Sequence, residues 1–405
     1  VTTLGTIGTG TWQGTAIAAA YVANDAIGSD AQNNTVAGTN AGDSFTGTDA
    51  EGNTLIGYDA GTATTTGDRN VAVGRNALDT NTTGSYNTAI GTYALDANTT
   101  ANDNTGLGYA ALYSNTTGTG NVAVGKDSLD SNTTGDNNVA VGMDALQANT
   151  TGTENTAVGY LALQANTTGT ENTALGSQTL ETNTTGTKNV GVGVKALKNN
   201  TTGNNCTAVG YRSLEANTTG SSNVTLGRSA LILNTTGADN IGIGYNALHD
   251  NTTASNNTAI GSSALKANTT GTRNVAVGAY SLDANTTADD NTSVGYSSLS
   301  ATTTGFSNTG LGNHTLAANT TGDHNTALGS AALGTNTTAD NNTAIGSGAL
   351  YGNTTGTLNT AVGRLGLTAN TTGAGNVAIG AYALDANTTA SDNVAVGIYG
   401  LTANT

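Results

Sequence analysis

The sequence predicts an all-β fold, a parallel β-solenoid (β-roll) of 17-residue coils that assembles as a homotrimer. Three observations carry the prediction. A glycine recurs at every seventeenth position from Gly57 to Gly397, each closing a phrase such as Asn70-Val71-Ala72-Val73-Gly74 or Asn155-Thr156-Ala157-Val158-Gly159. A leucine stands four places after each of these glycines, from Leu78 to Leu401, with only Gly61 departing. Proline is absent. A short fixed period means one structural unit stacked on copies of itself. The lack of proline suits a backbone whose N–H groups are committed to ladder bonds. With 36% hydrophobic and 9% charged residues the composition alone would also fit a disordered chain, but disorder has no reason to keep leucine in register.

Residues 1–33 lie outside the period and read as a junction, with the apolar segment Trp12-Gln13-Gly14-Thr15-Ala16-Ile17-Ala18-Ala19-Ala20-Tyr21-Val22. Residues 34–52 form one degenerate unit, opening with Asn34-Thr35-Val36-Ala37-Gly38 and interrupted by Phe45 and acidic residues. Its position is that of a capping repeat, which a solenoid needs to protect the end of its stack. Residues 53–405 keep the spacing and end inside an unfinished unit at Asn404-Thr405. Val1 stands where an initiator Met would, so the sequence reads as a piece of a longer protein, with further fibre domains expected beyond residue 405.

Within a unit, the two-residue period of a strand divides Asn70-Val71-Ala72-Val73-Gly74 into two faces. Hydrophobicity places Val71 and Val73 in the core and turns Asn70, Ala72 and Gly74 outward. Arg75-Asn76-Ala77-Leu78 then makes a corner that returns Leu78 inward on a second short strand or bent segment, and Asn81-Thr82-Thr83-Gly84 closes the coil. Gly84 suits a left-handed turn, although alanine takes that slot at Ala101, Ala254, Ala288, Ala339 and Ala390. Stacked coils set equivalent residues ~4.8 Å apart, giving a rod of roughly 100 Å in which Val71, Val73, Gly74, Leu78, Asn81 and Gly84 each head a ladder. Asparagines at the NTT corner bond amide to amide up the stack. Three aliphatic side chains per coil leave little surplus of burial over backbone entropy. Small outward Asn, Ala and Gly would let neighbouring chains approach closely and bundle in threes.

The formal net charge of −16, with 11 scattered Lys and Arg, excludes a phosphate-tracking nucleic-acid binder. No apolar run approaches the ~20 residues of a membrane helix, so no membrane insertion is expected. Ser/His/Asp and Cys/His constellations are missing, and Gly191-Val192-Gly193 lacks the Lys-Ser/Thr ending of a phosphate loop. The reading is therefore no enzyme and no cofactor. His249, His314 and His324 have no metal-ligand spacing, and the acidic residues lack the regular repeat of calcium-binding solenoids. Cys206 takes the Asn slot that opens a repeat and reads as a small buried substitute.

The phrases Asn87-Thr88-Ala89-Ile90-Gly91, Asn121-Val122-Ala123-Val124-Gly125 and Asn376-Val377-Ala378-Ile379-Gly380 resemble the head repeats of trimeric autotransporter adhesins. The resemblance covers residues 53–405. It implies a trimeric β-roll that binds host surfaces, although those heads repeat at about fourteen residues and neither a coiled-coil stalk nor a membrane-anchoring barrel is found within these 405 residues. NTAVG and NTTG arrays are also similar to those of tail-fibre and other virion fibre proteins of bacterial viruses. Leu4-Gly5-Thr6-Ile7-Gly8-Thr9-Gly10-Thr11-Trp12-Gln13-Gly14-Thr15-Ala16-Ile17 looks like a linking segment of such fibres. That resemblance implies an extracellular virion shaft supporting attachment to a host cell-surface glycan or protein. A bacterial surface adhesin head and an ice-binding solenoid are the alternatives.

Tyr109, Tyr160, Tyr211, Tyr245 and Tyr296 share the slot directly after the glycine. Exposed there, they could stack on sugars; packed there, they would fill a corner. The Asn-Thr-Thr triplets match the N-glycosylation sequon, but a glycan on every ~4.8 Å rung would not fit, and a structural turn is the expectation.

Overall fold

The computed structural model describes residues 28–46 and 48–402. The segments Leu4–Ile17 and Trp12–Val22 singled out above lie outside the described residues. Strand β1 (Gly28–Ser29) runs antiparallel to β2 (Thr35–Ala37), which pairs in parallel with β3 (Thr54–Ile56). From there each three-residue strand pairs in parallel with the next, through β4 (Val71–Val73) and β5 (Thr88–Ile90) to β23 (Val394–Val396). The 22 strands from β2 onward form one parallel sheet along a β-solenoid, with no helix among the described residues.

One strand per coil suffices because the turns also bond between coils. The Val71 N–H donates to Asn87 O at 2.8 Å, whereas the Gly74 N–H donates in the opposite direction to Ile56 O at 2.8 Å. In the corner, where a second strand or bent segment was expected, the backbone is turn, yet Asn76 N–H reaches Tyr58 O (2.9 Å) and Leu78 N–H reaches Ala94 O (3.0 Å). Aiming these donors along the rod axis requires left-handed backbone at Arg69 (φ 54°), Asn76 (φ 54°) and Leu78 (φ 58°). Each costs about 1 kcal/mol or more in an L-residue, offset by the bonds it permits. Gly74, at φ 137°, occupies a region closed to side chains, and a Cβ there would fall 2.6 Å from Gly91 O.

The faces of the strand are the reverse of the expectation. Asn70 and Ala72 are fully buried, whereas Val71 and Val73 are only partly buried and line the outer face. The reason lies in the narrow coil. Its interior holds Ala72, Ala77 and Leu78 together with two asparagine amides, all without solvent contact. The Asn70 N–H and Nδ2 donate to Asn53 Oδ1 at 2.9 and 3.1 Å, and Nδ2 also donates to Gly84 O across the coil at 2.9 Å. Asn81 Nδ2 donates to the same carbonyl at 2.9 Å, and Asn98 Nδ2 donates to Asn81 Oδ1 at 2.8 Å. Two asparagine ladders thus run inside the rod, their amides bonded along the column and to carbonyls of their own coil, which offsets the cost of burying them; the break is at Thr302, which takes an Asn slot and leaves its own hydroxyl and Asn285 Oδ1 without a hydrogen bond.

Gly84 likewise differs from expectation, since its φ is not in the left-handed region. Glycine fits there because a Cβ would lie 2.3 Å from both Ala101 O and Asn81 Oδ1. The Asn/Ala/Gly face, expected to mediate chain association, is interior to one chain and cannot serve as an interface.

The one break in the leucine column has a packing cause. At β3 the inward slot holds Leu55 instead of alanine, and Leu55 is fully buried. A Cβ on Gly61 would meet Leu55 Cδ2 at 2.8 Å, and one on Gly42 would meet Leu55 Cδ1 at 3.1 Å. Glycines in the flanking leucine slots make room for the side chain that replaces them. Phe45 packs against the same end of the core. The asparagine ladder begins on Asp30, whose carboxylate accepts from the Asn34 N–H at 2.9 Å and from Asn34 Nδ2 at 2.8 Å, in place of a lower rung.

Candidate functional site

Since the interior is filled by alanine, leucine and asparagine, chemistry must reside on the outside of the coil. The outer ranks fall into three groups. The strand face carries Thr, Val or, once, Ile241, then Val, Ile or Leu, and Ile90, Leu107, Leu175, Leu226, Leu311 and Leu328 are exposed along it. The second threonine of the NTT turn, as at Thr83 and Thr100, is exposed, while the first is used structurally: Thr82 Oγ1 donates to Thr99 O at 3.0 Å. The corner after the strand carries the aromatic residues.

Tyr109, Tyr160, Tyr211, Tyr245 and Tyr296 are all exposed, at 46–51%. They do not form one site. Tyr109 lies three coils from Tyr160, and Tyr160 three coils from Tyr211. Each group instead builds its own surroundings. The Arg228 guanidinium sits 5.9 Å from the ring centres of both Tyr211 and Tyr245, a cation held between two π faces. Tyr296 meets Tyr280 at 6.0 Å and His314 at 5.4 Å, both edge to face. His249 Nδ1 lies 2.6 Å from Asp250 Oδ1, and His324 packs on Phe306. Among the described residues no group of three His, Cys, Asp or Glu side chains is placed to hold a metal ion.

At Tyr109 the structure adds residues that were not singled out from the sequence. Tyr93 stands edge to face with both Tyr109 and Tyr113, each at 6.1 Å between ring centres. Together with Ala110, Asp127 and Asp130 these rings line a cavity of about 330 Å³. The signal for it was present: at the second place after the glycine, successive coils carry Asn76, Tyr93, Ala110, Asp127 and Asp144, a column in which Ala110 is the small residue between two large ones.

No family model matches the sequence. No curated protein matches it either. The reading of function therefore rests on the rod and its surfaces.

Two further candidates are structural in place. The Asn side chains of the sequons, such as Asn81, Asn98 and Asn115, are fully buried and bonded inside the rod. Cys206 is buried in the inner asparagine column, where its N–H donates to Asn189 Oδ1 at 3.0 Å, and burial raises its thiol pKa above the ordinary value.

Proposed function

We propose that this chain is a structural shaft segment of a bacteriophage tail fibre or similar virion fibre, self-associated as a homotrimer and supporting attachment to a host cell surface. The observation that carries the reading is the uninterrupted single-sheet rod with one aliphatic outer stripe. A parallel ladder spreads lateral load over many backbone bonds, and identical coils allow length to change by whole units. The stripe replaces the small-residue face as the surface for association. At ~100 Å long and ~10 Å wide it offers about 1,000 Å² per chain, which a trimer divides between two neighbours, giving about 1,000 Å² in total at each interface, the lower end for a specific contact.

Light scattering tests the assembly: a particle three times the 39.7 kDa chain mass is expected, falling to one chain when Leu175 and Leu226 are changed to Glu. A wild-type particle of single-chain mass would reject the bundle. Immunogold labelling tests the location. Label along virion fibres supports the shaft; label confined to the bacterial envelope would replace it with the surface-adhesin reading. An ice-binding role would draw on the exposed Thr83 rank, but with the neighbouring Thr82 hydroxyl bonded to the next coil, that turn offers one free hydroxyl per coil.

A further inference from the structure

The cavity at Ala110 is a gap in a ladder. In most coils the second place after the glycine carries a side chain larger than alanine. Ala110 leaves that space open between Tyr93 on one side and Asp127 on the other, two rungs or ~9.6 Å apart. Tyr109 and Tyr113, from the same coil as Ala110, close the flanks, and Asp130 adds a second carboxylate. The backbone under the gap is held in the common register: the Ala110 N–H donates to Thr92 O at 3.0 Å and the Asp127 N–H to Tyr109 O at 2.9 Å. The opening is thus a feature of side-chain choice on an unbroken scaffold.

We propose that this cavity binds an organic cation, a quaternary or alkylated ammonium group, seated among the rings of Tyr93, Tyr109 and Tyr113 with Asp130 as its counter-charge.

Ring faces attract cations through their quadrupole, and the attraction grows when the cation is shielded from water. Two of the ring pairs here are perpendicular, at 87° and 89°, so the rings present surfaces in different directions around the space, as enclosing a compact cation requires. The charge balance points the same way. Lys126 Nζ pairs with Asp127 at 2.9 Å, leaving Asp130 without a cation of its own. Asp130 is held above the usual carboxylate range by burial and by the charges of Asp127 and Asp144, so a bound cation would relieve existing repulsion. A neutral saccharide could donate hydrogen bonds to these carboxylates but would leave their charge unneutralised. The mode of contact is present on the same surface: Arg75 lies between Tyr58 and Tyr93, a ring of the site itself, and Arg228 lies between Tyr211 and Tyr245. The inference does not depend on the fibre reading.

Calorimetric titration of the intact chain with choline chloride and with its neutral isostere 3,3-dimethylbutanol tests it. Choline is expected to bind about tenfold or more tightly than the alcohol. Ala110→Leu fills the gap and should abolish binding while leaving circular dichroism unchanged, because Leu161 already occupies the same slot with the same left-handed backbone, φ 57° against 52°. Tyr113→Ser, at an exposed position, should weaken choline about fivefold or more, and Asp130→Asn should weaken choline while leaving the alcohol unaffected. Absent choline binding, equal affinity for choline and the alcohol, or full binding by Ala110→Leu would each overturn the proposal. So would a saccharide that binds this cavity and is not displaced by choline.

Discussion

Replacing Asp96 by asparagine should stabilise its coil at neutral pH and leave it unchanged in acid. Asp96 stands directly above Asp79 in the column that follows the buried leucines, and its carboxyl is pushed from 3.8 up to about 6, first by burial and then by the Asp79 charge. The sign follows from which form the fold prefers. A carboxyl whose folded pKa is raised favours the neutral acid, so its contribution is complete below about pH 4 and is lost as the pH climbs through about 6. The interval converts to about 3 kcal/mol. Asp96 is only half-buried, and screening by water reduces that to about 1 kcal/mol.

Asparagine copies the neutral form at every pH, so the variant should gain that amount at pH 8 and nothing at pH 4. A stack of coils need not unfold in one step, and the measurement has to be local. Hydrogen exchange serves. The Thr80 N–H bonds to Asp96 O at 3.1 Å and the Ala97 N–H to Tyr113 O at 3.0 Å, so both amides report opening of this coil. Thr80 keeps its own neighbours, so comparing variant with wild type at one pH cancels its intrinsic exchange rate, while Ala97 is corrected for the changed residue before it. Exchange about fivefold slower in the variant at pH 8, converging at pH 4, is expected. A difference independent of pH, or faster exchange at pH 8, would refute the assignment.

The strand faces can be tested at adjacent residues: Ala140→Val should overpack the interior and cost about 1–3 kcal/mol, whereas Val141→Thr, on the outer face, should cost under about 0.5 kcal/mol by local exchange. Equal costs, or the reverse order, would restore the valine-in arrangement. Asn166→Leu removes the acceptor of Asn183 Nδ2 (2.9 Å) and the donor to Gly169 O (3.0 Å), and should destabilise the adjoining coils by about 1–3 kcal/mol; a neutral effect would show that the ladder contributes nothing net. Cys206→Asn should stabilise by about 1 kcal/mol by restoring an amide to the column, as read from local exchange at Thr207 and Val224, and destabilisation would count against a continuous ladder.

Much of the fold was legible because a solenoid writes its geometry into its period. The glycine and leucine columns predict the coil, and the coil follows. The strand face was misassigned for a physical reason. Alternation states that Val71 and Val73 share one side and Asn70 and Ala72 the other, but the sequence pattern is symmetric under exchange of those sides. Hydrophobicity breaks the tie correctly only when buried polar groups lack partners. Here a buried Asn amide bonds a carbonyl of its own coil and an asparagine of the adjacent one, and the second contact is one that no single unit contains. Gly84 reads as a turn residue within one unit, whereas its preference for glycine is set by Asn81 Oδ1 of its own coil together with Ala101 O of the next.

The candidate site divides in the same way. Tyr109 was visible in one slot of the repeat, but the cavity joins three consecutive coils, and Tyr93, Tyr113, Asp127 and Asp130 become its walls only once the coils are stacked.

By itself, then, the sequence determined the repeat, the all-β class, the inward leucines and the tyrosine positions, because each is a property of one unit and its spacing. The tertiary structure alone decided which strand face is interior, which outer stripe is free to meet another chain, and where a missing side chain opens a cavity. Those depend on what each side chain meets one rung above and one rung below, and burial is settled by that vertical complementarity rather than by the polarity of the residue.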